Sequence, residues 1–593
     1  MFLDIYSNNG VRYIRISESY RVDKNGVRVA RKRTIKAIGS VARFDDGKPN
    51  FEKRLRDSFA ACNPLIEELR PYVSKELPKE TYNLSFHSGT AECIGHPKLF
   101  ASSLFDKILD EIGLRTFVGS YKNYDNLNFD VLGFIKLVVY GRILNPVSKF
   151  ATTKQNESYY SPLVSEEHYT FNIYDMLDFV YAHKNAIFNR IDMNMRKKYK
   201  RTTDKIYYDV TNFFFETEEP DDDGIRKLGV SKENRRQPIV QMGLLMDEQG
   251  YPVSVEVYPG NTLDHLTLEN SFENSPESVR KSRYIFVSDK GIGRGRALGY
   301  AVQNGNGYIV SKSVRSATNE EKAWILSGGY TSISDEFKLK SRIYTKEFTL
   351  DDGIKLKSSE KAVTYWSKRF YDKEYAEKKD FFDFMKKLIE SPASYRISKV
   401  ETGMLGKYIK KELLYTKTGE VINSNDLKAM VDFEKLERET ELLGYYTIVT
   451  SETEMLDKDI IEIYHNLVKI EDEFRVMKTT LDTRPVFVRT PEHITAHLVL
   501  CTLSLLILRI IQNRIKEKNP PTRESAFGLS TERIRDALNR WTVTNLTDDF
   551  YRFDNIDDAD LQLILDSFGI TIEPKLYQMG DLKHIKQTME NSI

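Results

Sequence analysis

Cysteine is scarce in this sequence, and the few cysteines present are far apart. The chain has 593 residues and three cysteines, Cys62, Cys93 and Cys501, with no Cys-x-x-Cys pair. This pattern argues against a disulfide framework and against a zinc ribbon. It is typical of a protein in a reducing compartment, so we expect a cytoplasmic location.

Net charge is almost absent as well. The 88 basic residues are balanced by 87 acidic residues, which leaves a formal net charge of +1. The near-zero net charge gives the molecule no overall electrostatic attraction to a polyanionic partner, and any basic surface must be local. One such cluster lies between Arg12 and Arg33, where basic residues face only Glu18 and Asp23. It could follow a phosphate backbone, or it could be a set of solvated strand faces.

Long hydrophobic runs and a signal-peptide pattern are also missing. Asp4 stands where a secretory signal would carry basic residues. The strongest apolar run, Leu498–Leu508, is about 11 residues long. A membrane span needs roughly 20 such residues, so we predict a buried helix here.

The hydrophobic pattern changes several times along the chain, which agrees with a length that exceeds one core. Residues 1–45 alternate around the turn signals Asn9-Gly10 and Asn25-Gly26, which predicts an antiparallel β-meander. Helical spacing follows over about 97–200, and short strand patterns begin at Lys205. A lysine-rich stretch from about 316 to 440 interrupts the strands, which resume at Tyr445 before a long helix at about 458–480. The last 75 or so residues are predicted to be helical.

Two aspartates mark candidate active-site strands. Asp209 lies among β-branched and aromatic residues in a strand pattern that disfavours aspartate. Such a broken local rule indicates a functional site, although an aspartate bonded to neighbouring amides is the structural alternative. Asp289 closes a second predicted strand directly before a glycine-rich turn. One acid on each strand suggests a shared metal ion.

The glycine-rich turn after Asp289 invites comparison with a dinucleotide-binding loop. It reads Gly291-Ile292-Gly293-Arg294-Gly295-Arg296 between a strand and a helix. Arg296 occupies the position that the third glycine of such a loop needs. We therefore interpret the turn as a flexible connection that places Asp289 at an open edge.

Glu471 is the third candidate acid. Tyr464 precedes it by seven residues and Lys478 follows it by seven, which is nearly two helical turns. On one continuous helix these three side chains share a stripe, and the apolar residues beside it predict that Glu471 points toward the protein body. The alternative is a charged helix in which Glu471 pairs with Arg475 at i+4.

Two other clusters of ionisable residues do not match a known metal-site motif. His493 and His497 share a helical face, but Glu492 precedes His493, whereas a zinc-protease helix places its glutamate after the first histidine. We expect these histidines to belong to a core or polar network. The acidic run from Glu216 to Asp223 lacks calcium-loop spacing and is predicted to be a solvated loop.

Several motifs follow one another in a fixed order along the middle and late chain. They are Tyr208-Asp209-Val210-Thr211-Asn212-Phe213, Gly229-Val230-Ser231-Lys232, Gly243-Leu244-Leu245-Met246-Asp247, Pro259-Gly260-Asn261-Thr262-Leu263-Asp264, Val287-Ser288-Asp289-Lys290-Gly291 and the stretch from Tyr464 to Lys478. On these motifs the chain resembles the DDE transposases of bacterial insertion sequences. Within that class it resembles the insertion-sequence-four superfamily and its sixteen-thirty-four-type branch.

The superfamily signature Y-x2-R-x3-E-x6-K shows one departure. Tyrosine, glutamate and lysine match Tyr464, Glu471 and Lys478, but Leu467 replaces the arginine. The resemblance implies that Tyr464 and Lys478 contact DNA phosphates. The role of the missing arginine stays unassigned, with Arg475 one turn away as a substitute.

The resemblance also implies an architecture. We expect an α/β multidomain protein with an RNase H-like core, a mixed sheet with helices, that an insertion domain interrupts. The expected segments are a meander and linker with possible DNA binding (1–95), a helical domain with possible DNA binding (96–200), the first core part (201–315), the insertion domain (316–440), the second core part (441–515) and a C-terminal helical region (516–593).

The implied chemistry is cleavage of DNA at transposon ends and transfer to target DNA. Asp209, Asp289 and Glu471 are expected to hold two Mg²⁺ ions, with Mn²⁺ as a substitute, because hard oxygen ligands suit these metals and paired ions activate the attacking oxygen. Partners would be the inverted-repeat ends, the target DNA and a second copy of the chain. A two-metal nuclease that cuts without joining, and a non-catalytic DNA-binding relative, remain the alternatives.

Overall fold

The computed structural model describes most of the chain. The residues outside it are 25–26, 62, 74–92, 123–127, 165–168, 218, 231, 233–235, 294, 351–352, 391–437, 485, 521–527, 547–549 and 592–593. The predicted Asn25-Gly26 turn and Cys62 are therefore outside the described residues, as are Ser231, Arg294 and residues 391–437 of the lysine-rich stretch. The chain forms two compact units, Met1–Thr90 and Ala91–Ile593.

The first unit contains the meander that the alternating pattern predicts. Its elements are β1 (Phe2–Asn8), β2 (Val11–Lys24), β3 (Val27–Ser40), α1 (Val41–Phe44) and α2 (Phe51–Ala60). The strands pair antiparallel in the order β1-β2-β3. Asn9 and Gly10 form the first turn with φ of 47° and 78°, a conformation that these two residue types tolerate best. Ile14, Ile16 and Leu55 are fully buried in the small core of this unit.

The second unit is built on a sheet of nine strands. The strands of this unit are β4 (Lys98–Leu99), β5 (Lys205–Phe214), β6 (Ile239–Asp247), β7 (Pro252–Pro259), β8 (Ile285–Ser288), β9 (Gly307–Lys312), β10 (Thr331–Ser334), β11 (Phe337–Thr349), β12 (Lys355–Ser367), β13 (Tyr445–Thr450), β14 (Thr542–Asn545), β15 (Phe550–Phe553) and β16 (Leu576–Gln578). The large sheet has the order β10-β11-β12-β13-β9-β8-β5-β6-β7. It is mixed, because β8 pairs parallel with both β5 and β9 while the other neighbours are antiparallel.

Helices cover this sheet and extend beyond it. They are α3 (Ser102–Glu111), α4 (Leu114–Lys122), α5 (Val131–Leu144), α6 (Lys149–Lys154), α7 (Tyr169–Ala182), α8 (Lys184–Tyr199), α9 (Leu268–Glu273), α10 (Glu277–Arg280), α11 (Gly295–Gln303), α12 (Asn319–Leu326), α13 (Lys368–Glu390), α14 (Asp457–His465), α15 (Val468–Lys478), α16 (Pro491–Lys518), α17 (Thr531–Arg540), α18 (Ala559–Ser567) and α19 (Met579–Asn591). The helical region and the four core strands expected from Lys205 onward are present. The result is a mixed α/β protein with a large mixed sheet.

The two faces of the sheet carry separate hydrophobic clusters. Along β5, Tyr207 and Phe213 belong to the cluster on one face, whereas Tyr208 and Val210 belong to the cluster on the other. Successive side chains of a strand point to opposite faces, so Asp209 shares the face of Tyr207 and Phe213. Both faces are covered, which explains why all nine residues of β6 are buried.

Helix α16 is the buried helix predicted from the apolar run around Leu500. It spans 28 residues and is, among the described helices, the one that is long and apolar enough by itself to cross a membrane. Its most apolar stretch is entirely buried inside the protein, where it packs against α5 and α7. This is the environment of a core helix.

The sequence pattern predicts that the lysine-rich stretch interrupts the sheet. In the structure its described strands instead join the sheet. Strands β10, β11 and β12 pair with one another, and β12 pairs with β13 from Lys361 to Trp366. The described part of residues 316–440 therefore extends the central sheet at one edge. The sequence pattern misses this continuity because the strand alternation predicts strands but not their partners.

The prediction of a wholly helical C-terminal region was wrong. Strands β14, β15 and β16 form a small antiparallel sheet with β4, in the order β16-β15-β14-β4. These four strands are two to four residues long. A strand this short does not show enough alternation to be recognised from sequence.

Candidate active site

Asp209 and Asp289 lie side by side on neighbouring parallel strands. In the β5–β8 ladder, Lys205 lies opposite Ile285, Ile206 opposite Phe286 and Tyr207 opposite Val287. Continuing this register by two residues places Asp209 opposite Asp289, on strands about 4.8 Å apart. The parallel pairing, which the sequence pattern does not specify, thus brings together two acids separated by 80 positions.

Asp209 sits in a partly buried position with one cation nearby. Its side chain is 22% exposed, and the Lys232 ammonium lies 3.9 Å from its Oδ1 atom. The backbone N–H of Val210 donates to the same oxygen at 2.7 Å. Burial raises the pKa of Asp209 to about 6, with further contributions from the charges of Asp264 and Asp289, while Lys232 opposes the shift. A nearby cation therefore stabilises the charged form of Asp209.

Asp289 is exposed and is oriented by three donors. Its Oδ1 accepts from its neighbour's backbone N–H (Lys290, 2.7 Å) and from the Ser311 hydroxyl (2.7 Å). The Tyr464 hydroxyl lies 3.5 Å from the same atom. Ser311 is on β9, so the two strands that flank β8 in the sheet both contribute to the site. No feature of the sequence singled out Ser311, because the β8–β9 pairing that brings it to Asp289 is not visible in the pattern.

The glycine-rich turn holds the backbone of Asp289 in a tight loop. The N–H groups of Ile292 and Gly293 both donate to the Asp289 carbonyl at 3.1 Å. A Cβ atom on Gly293 would lie 2.8 Å from the Cβ of Val310, so only glycine fits against β9 at this point. Gly293 therefore packs against β9, whereas Gly291 and Gly295 have open space around them.

The helix that carries Glu471 is broken, contrary to the prediction of one continuous helix over 458–480. Helix α14 ends at His465 and α15 begins at Val468. Leu467, which replaces the signature arginine, is 8% exposed and packs into the large core at this break. Tyr464 and Glu471 consequently belong to different helices.

Tyr464 nevertheless connects the acids. Burial raises the pKa of its phenol above the usual range, and the negative charges of Asp289 and Glu471 add to the shift. The Tyr464 side chain therefore lies within electrostatic range of both carboxylates. The two helices also lie on the same face of the sheet as Asp209, because the Tyr207 hydroxyl donates to the Ile463 carbonyl at 3.2 Å.

Glu471 itself is exposed, which corrects the prediction that it points into the protein body. The expected alternative, an ion pair with Arg475, is not the contact observed. Arg475 is exposed and donates through Nε to Asp472 Oδ1 at 3.1 Å. Lys478 lies 5.9 Å from the centre of the Phe213 ring on β5, so the far end of α15 stays close to the strand that carries Asp209.

Helix α15 is anchored by its next two acids. Glu473 is 2% exposed and accepts from Arg509 Nε of α16 at 2.9 Å, and Asp472 accepts from Arg509 at 2.7 Å. Burial raises the pKa of Glu473. Three consecutive acids thus have distinct environments: Glu471 faces solvent, while Asp472 and Glu473 hold the helix on the protein.

The remaining candidate clusters have ordinary structural partners. His497 is buried and its Nδ1 contacts the Lys149 ammonium at 3.0 Å, while His493 Nε2 lies 3.0 Å from Asp178. In the acidic run, Asp221 accepts from Arg226 Nε at 2.7 Å. These contacts support the polar-network interpretation of the histidines.

The three candidate acids are neighbours on one face, not a closed ligand cluster. Over the described part of the chain, no three histidine, cysteine, aspartate or glutamate side chains lie close enough together to hold a metal ion. Like charges repel, and the raised pKa of Asp209 shows part of that effect.

Comparison with known proteins agrees with this geometry. Residues 212–507, about half of the chain, match the family described as "Transposase DDE domain". The match contains Asp289 and Glu471 and begins three residues after Asp209. A search of curated proteins gave no match. The match to residues 212–507 supports a place for this chain in the DDE transposase family.

Proposed function

We propose that this protein is a DNA transposase that cuts transposon ends and joins them to target DNA, with Asp209, Asp289 and Glu471 as its catalytic acids. Within the family we assign it to the insertion-sequence-four superfamily and its sixteen-thirty-four-type branch. The proposed RNase H-like core consists of residues 201–315 and 441–515, with residues 316–440 as an insertion.

One observation carries this proposal. Asp209 and Asp289 are neighbours across a parallel strand pair, and α15, the helix with Glu471, packs against β5 with Lys478 next to Phe213. Tyr464 stands 3.5 Å from Asp289 and within electrostatic range of Glu471. We propose that these two strand acids and this helix acid together carry out phosphodiester chemistry, in agreement with the match to a transposase DDE domain.

The donor set fits magnesium. All three side chains offer carboxylate oxygens, the ligands that Mg²⁺ prefers. Burial, with smaller contributions from Asp264 and Asp289, raises the pKa of Asp209 to about 6, and a bound cation would favour its carboxylate form. We propose that the three acids hold two Mg²⁺ ions, with Mn²⁺ as a substitute. When bound, such ions lower the charge on the phosphate and help to generate the attacking oxygen.

The surrounding residues orient the acids and the DNA. Ser311 and the Lys290 backbone fix one oxygen of Asp289, which leaves its other oxygen available to a ligand. We propose that Lys478 and Tyr464 contact phosphates beside the acids, with Arg475, which pairs with Asp472 one turn from Glu471, as a further contact. Residues 1–95 and 96–200 are the proposed DNA-reading regions, and a homodimer would hold two ends together in the cytoplasm near the chromosome.

Replacing each acid separately tests the assignment. Asp209→Asn, Asp289→Asn and Glu471→Gln remove a metal ligand while they keep the shape of the side chain. We expect binding to the DNA that flanks the protein's own gene to survive and Mg²⁺-dependent cleavage to disappear. Glu462→Gln is the matched control, because Glu462 is an exposed acid on α14 with no place in the site.

Cleavage that stays within about tenfold of the unaltered protein would remove that acid from the catalytic set, since an essential group usually contributes far more. A strand-transfer assay on the same DNA separates a transposase from a nuclease that cuts without joining. Loss of cleavage in Glu462→Gln as well would indicate a general defect and contradict the specific roles.

A further inference from the structure

A cleft of about 500 Å³ opens beside the candidate acids. It is lined by Val210, the residue after Asp209, and by Gly291, two residues after Asp289. Its other walls include Lys232, Gln241 and Asp264. The cleft therefore lies next to both strand acids and is also lined by residues of β6 and of the loop after β7.

The walls of this cleft are fixed by close backbone contacts. A Cβ atom on Gly229 would lie 1.9 Å from the Gly260 carbonyl oxygen, so the two chain segments touch where only glycine fits. The Gly260 N–H donates to the Ile225 carbonyl at 3.0 Å. Asn212 of β5 is buried and donates to the Val230 carbonyl at 3.3 Å. The cleft is consequently preformed and does not depend on a ligand for its shape.

Lys232 supplies the positive charge of the cleft. Its side chain is 44% exposed, and its ammonium lies 3.9 Å from Asp209 Oδ1. The same ammonium donates to the Val210 carbonyl. An ammonium group has three donors, so it can keep this backbone contact and still bind an anion. A phosphate that enters the cleft next to Asp209 meets this cation first.

The cleft also carries one negative charge. Asp264 lines the cleft and is within electrostatic range of Asp209. It repels a phosphate, so a polyanion in the cleft runs along the Lys232 wall. Gln241 also lines the cleft, and its Nε2 donates to the Gly260 carbonyl at 3.4 Å.

We infer that this cleft holds the backbone of the DNA strand that is cut, with Lys232 bound to one of its phosphates. The inference rests on the proposed function, which it extends from the acids to the path of the substrate. Lys232 is then a substrate-binding residue of the reaction. A phosphate contact contributes affinity without regard to base sequence, and it gives a defined salt dependence.

Salt-dependent DNA binding tests the inference without any cleavage. The parent protein is Glu471→Gln, which leaves the Lys232 side of the site unaltered, and the probe is duplex DNA from the flanks of its own gene. In this parent, Lys232→Gln should weaken binding several-fold and lower the slope of log affinity against log salt by about 1. Lys232→Arg keeps the charge and should keep the slope, which excludes a folding defect as the cause.

Two matched variants complete the experiment. Asp264→Asn removes the acid of the same cleft and should leave the slope unchanged with equal or tighter binding. Lys281→Gln removes an exposed lysine before β8, at the opposite end of that strand from Asp289, and should change neither quantity. An unchanged slope in Lys232→Gln, or an equal fall in Lys281→Gln, overturns the inference and leaves the proposed function standing. Absence of DNA binding by the Glu471→Gln parent would instead overturn the proposed function.

Discussion

Replacing Arg509 by methionine should destabilise the second unit and displace the helix that carries Glu471. Arg509 is 8% exposed and donates to both Glu473 and Asp472, the two residues that follow Glu471. Methionine fills a similar volume but leaves Glu473 buried without its cation. Removing one partner of a buried ion pair costs about 3–5 kcal/mol because the remaining charge is uncompensated.

The double variant Arg509→Met with Glu473→Met separates this cost from lost packing. Replacement of both charges by apolar side chains of similar size is often close to neutral, so most of the stability should return. Urea unfolding followed by tryptophan fluorescence measures the effect on the second unit alone, because all three tryptophans, Trp324, Trp366 and Trp541, belong to it. Cleavage should fall with stability in the single variant and recover partly in the double variant.

The stability deficit of Arg509→Met should depend on pH in a defined direction. Burial raises the pKa of Glu473, so the folded protein binds its proton more tightly than the unfolded chain does. Its contribution to stability is therefore complete in acid and is lost as pH rises through the folded pKa. Without Arg509 that pKa rises further, and the deficit of the variant should grow from acid to neutral pH. A deficit below about 1 kcal/mol, or one that does not change with pH, would refute this account of how α15 is held.

Three further predictions concern single side chains. Tyr464→Phe removes the hydroxyl 3.5 Å from Asp289; single-turnover cleavage of bound DNA should slow by about tenfold, because hydrogen bonds to charged groups contribute about 1.5–3 kcal/mol, and an unchanged rate would remove Tyr464 from the site. The pKa of Asp209 is about 6, so Mg²⁺ titrations should show weaker binding below that pH, where the carboxyl is protonated; equal affinity at pH 5 and pH 8 would contradict its role as a ligand. Burial and the charge of Arg142 lower the pKa of Lys149 to about 7. Above pH 7 the folded state therefore binds fewer protons than the unfolded chain, and the free energy of unfolding should rise with pH toward the ordinary lysine pKa. This rise should be absent in Lys149→Met, and its persistence there would contradict the lowered pKa of Lys149.

Local sequence rules were sufficient to locate the strand acids. Asp209 is a candidate because aspartate is uncommon in strands. Asp289 is a candidate because it follows a strand and precedes a glycine-rich turn. Asp209 lies within the strand Lys205–Phe214, and Asp289 directly follows the strand Ile285–Ser288, as these patterns predict. Their meeting could not be derived from sequence, because it depends on the parallel pairing of β5 with β8, which local patterns do not encode.

The third acid shows the limit of periodicity. An unbroken helix over 458–480 would have placed Tyr464, Glu471 and Lys478 on one stripe. The chain instead breaks at Asn466 and Leu467, and Leu467 packs into the core there. A break without proline or glycine leaves no mark in the sequence, since tertiary packing overrides helix propensity at such a position.

Mapping the DNA products at single-nucleotide resolution tests the central claim most directly. The protein is incubated with Mg²⁺, duplex DNA from the flanks of its own gene and an intact target duplex, beside its Asp289→Asn variant. We expect new 3′ ends at the boundaries of the element, the same ends joined to the target, and neither product with the variant. Cuts scattered without joining, or products that persist in Asp289→Asn, would contradict the assignment of this chain as a transposase that works through Asp209, Asp289 and Glu471.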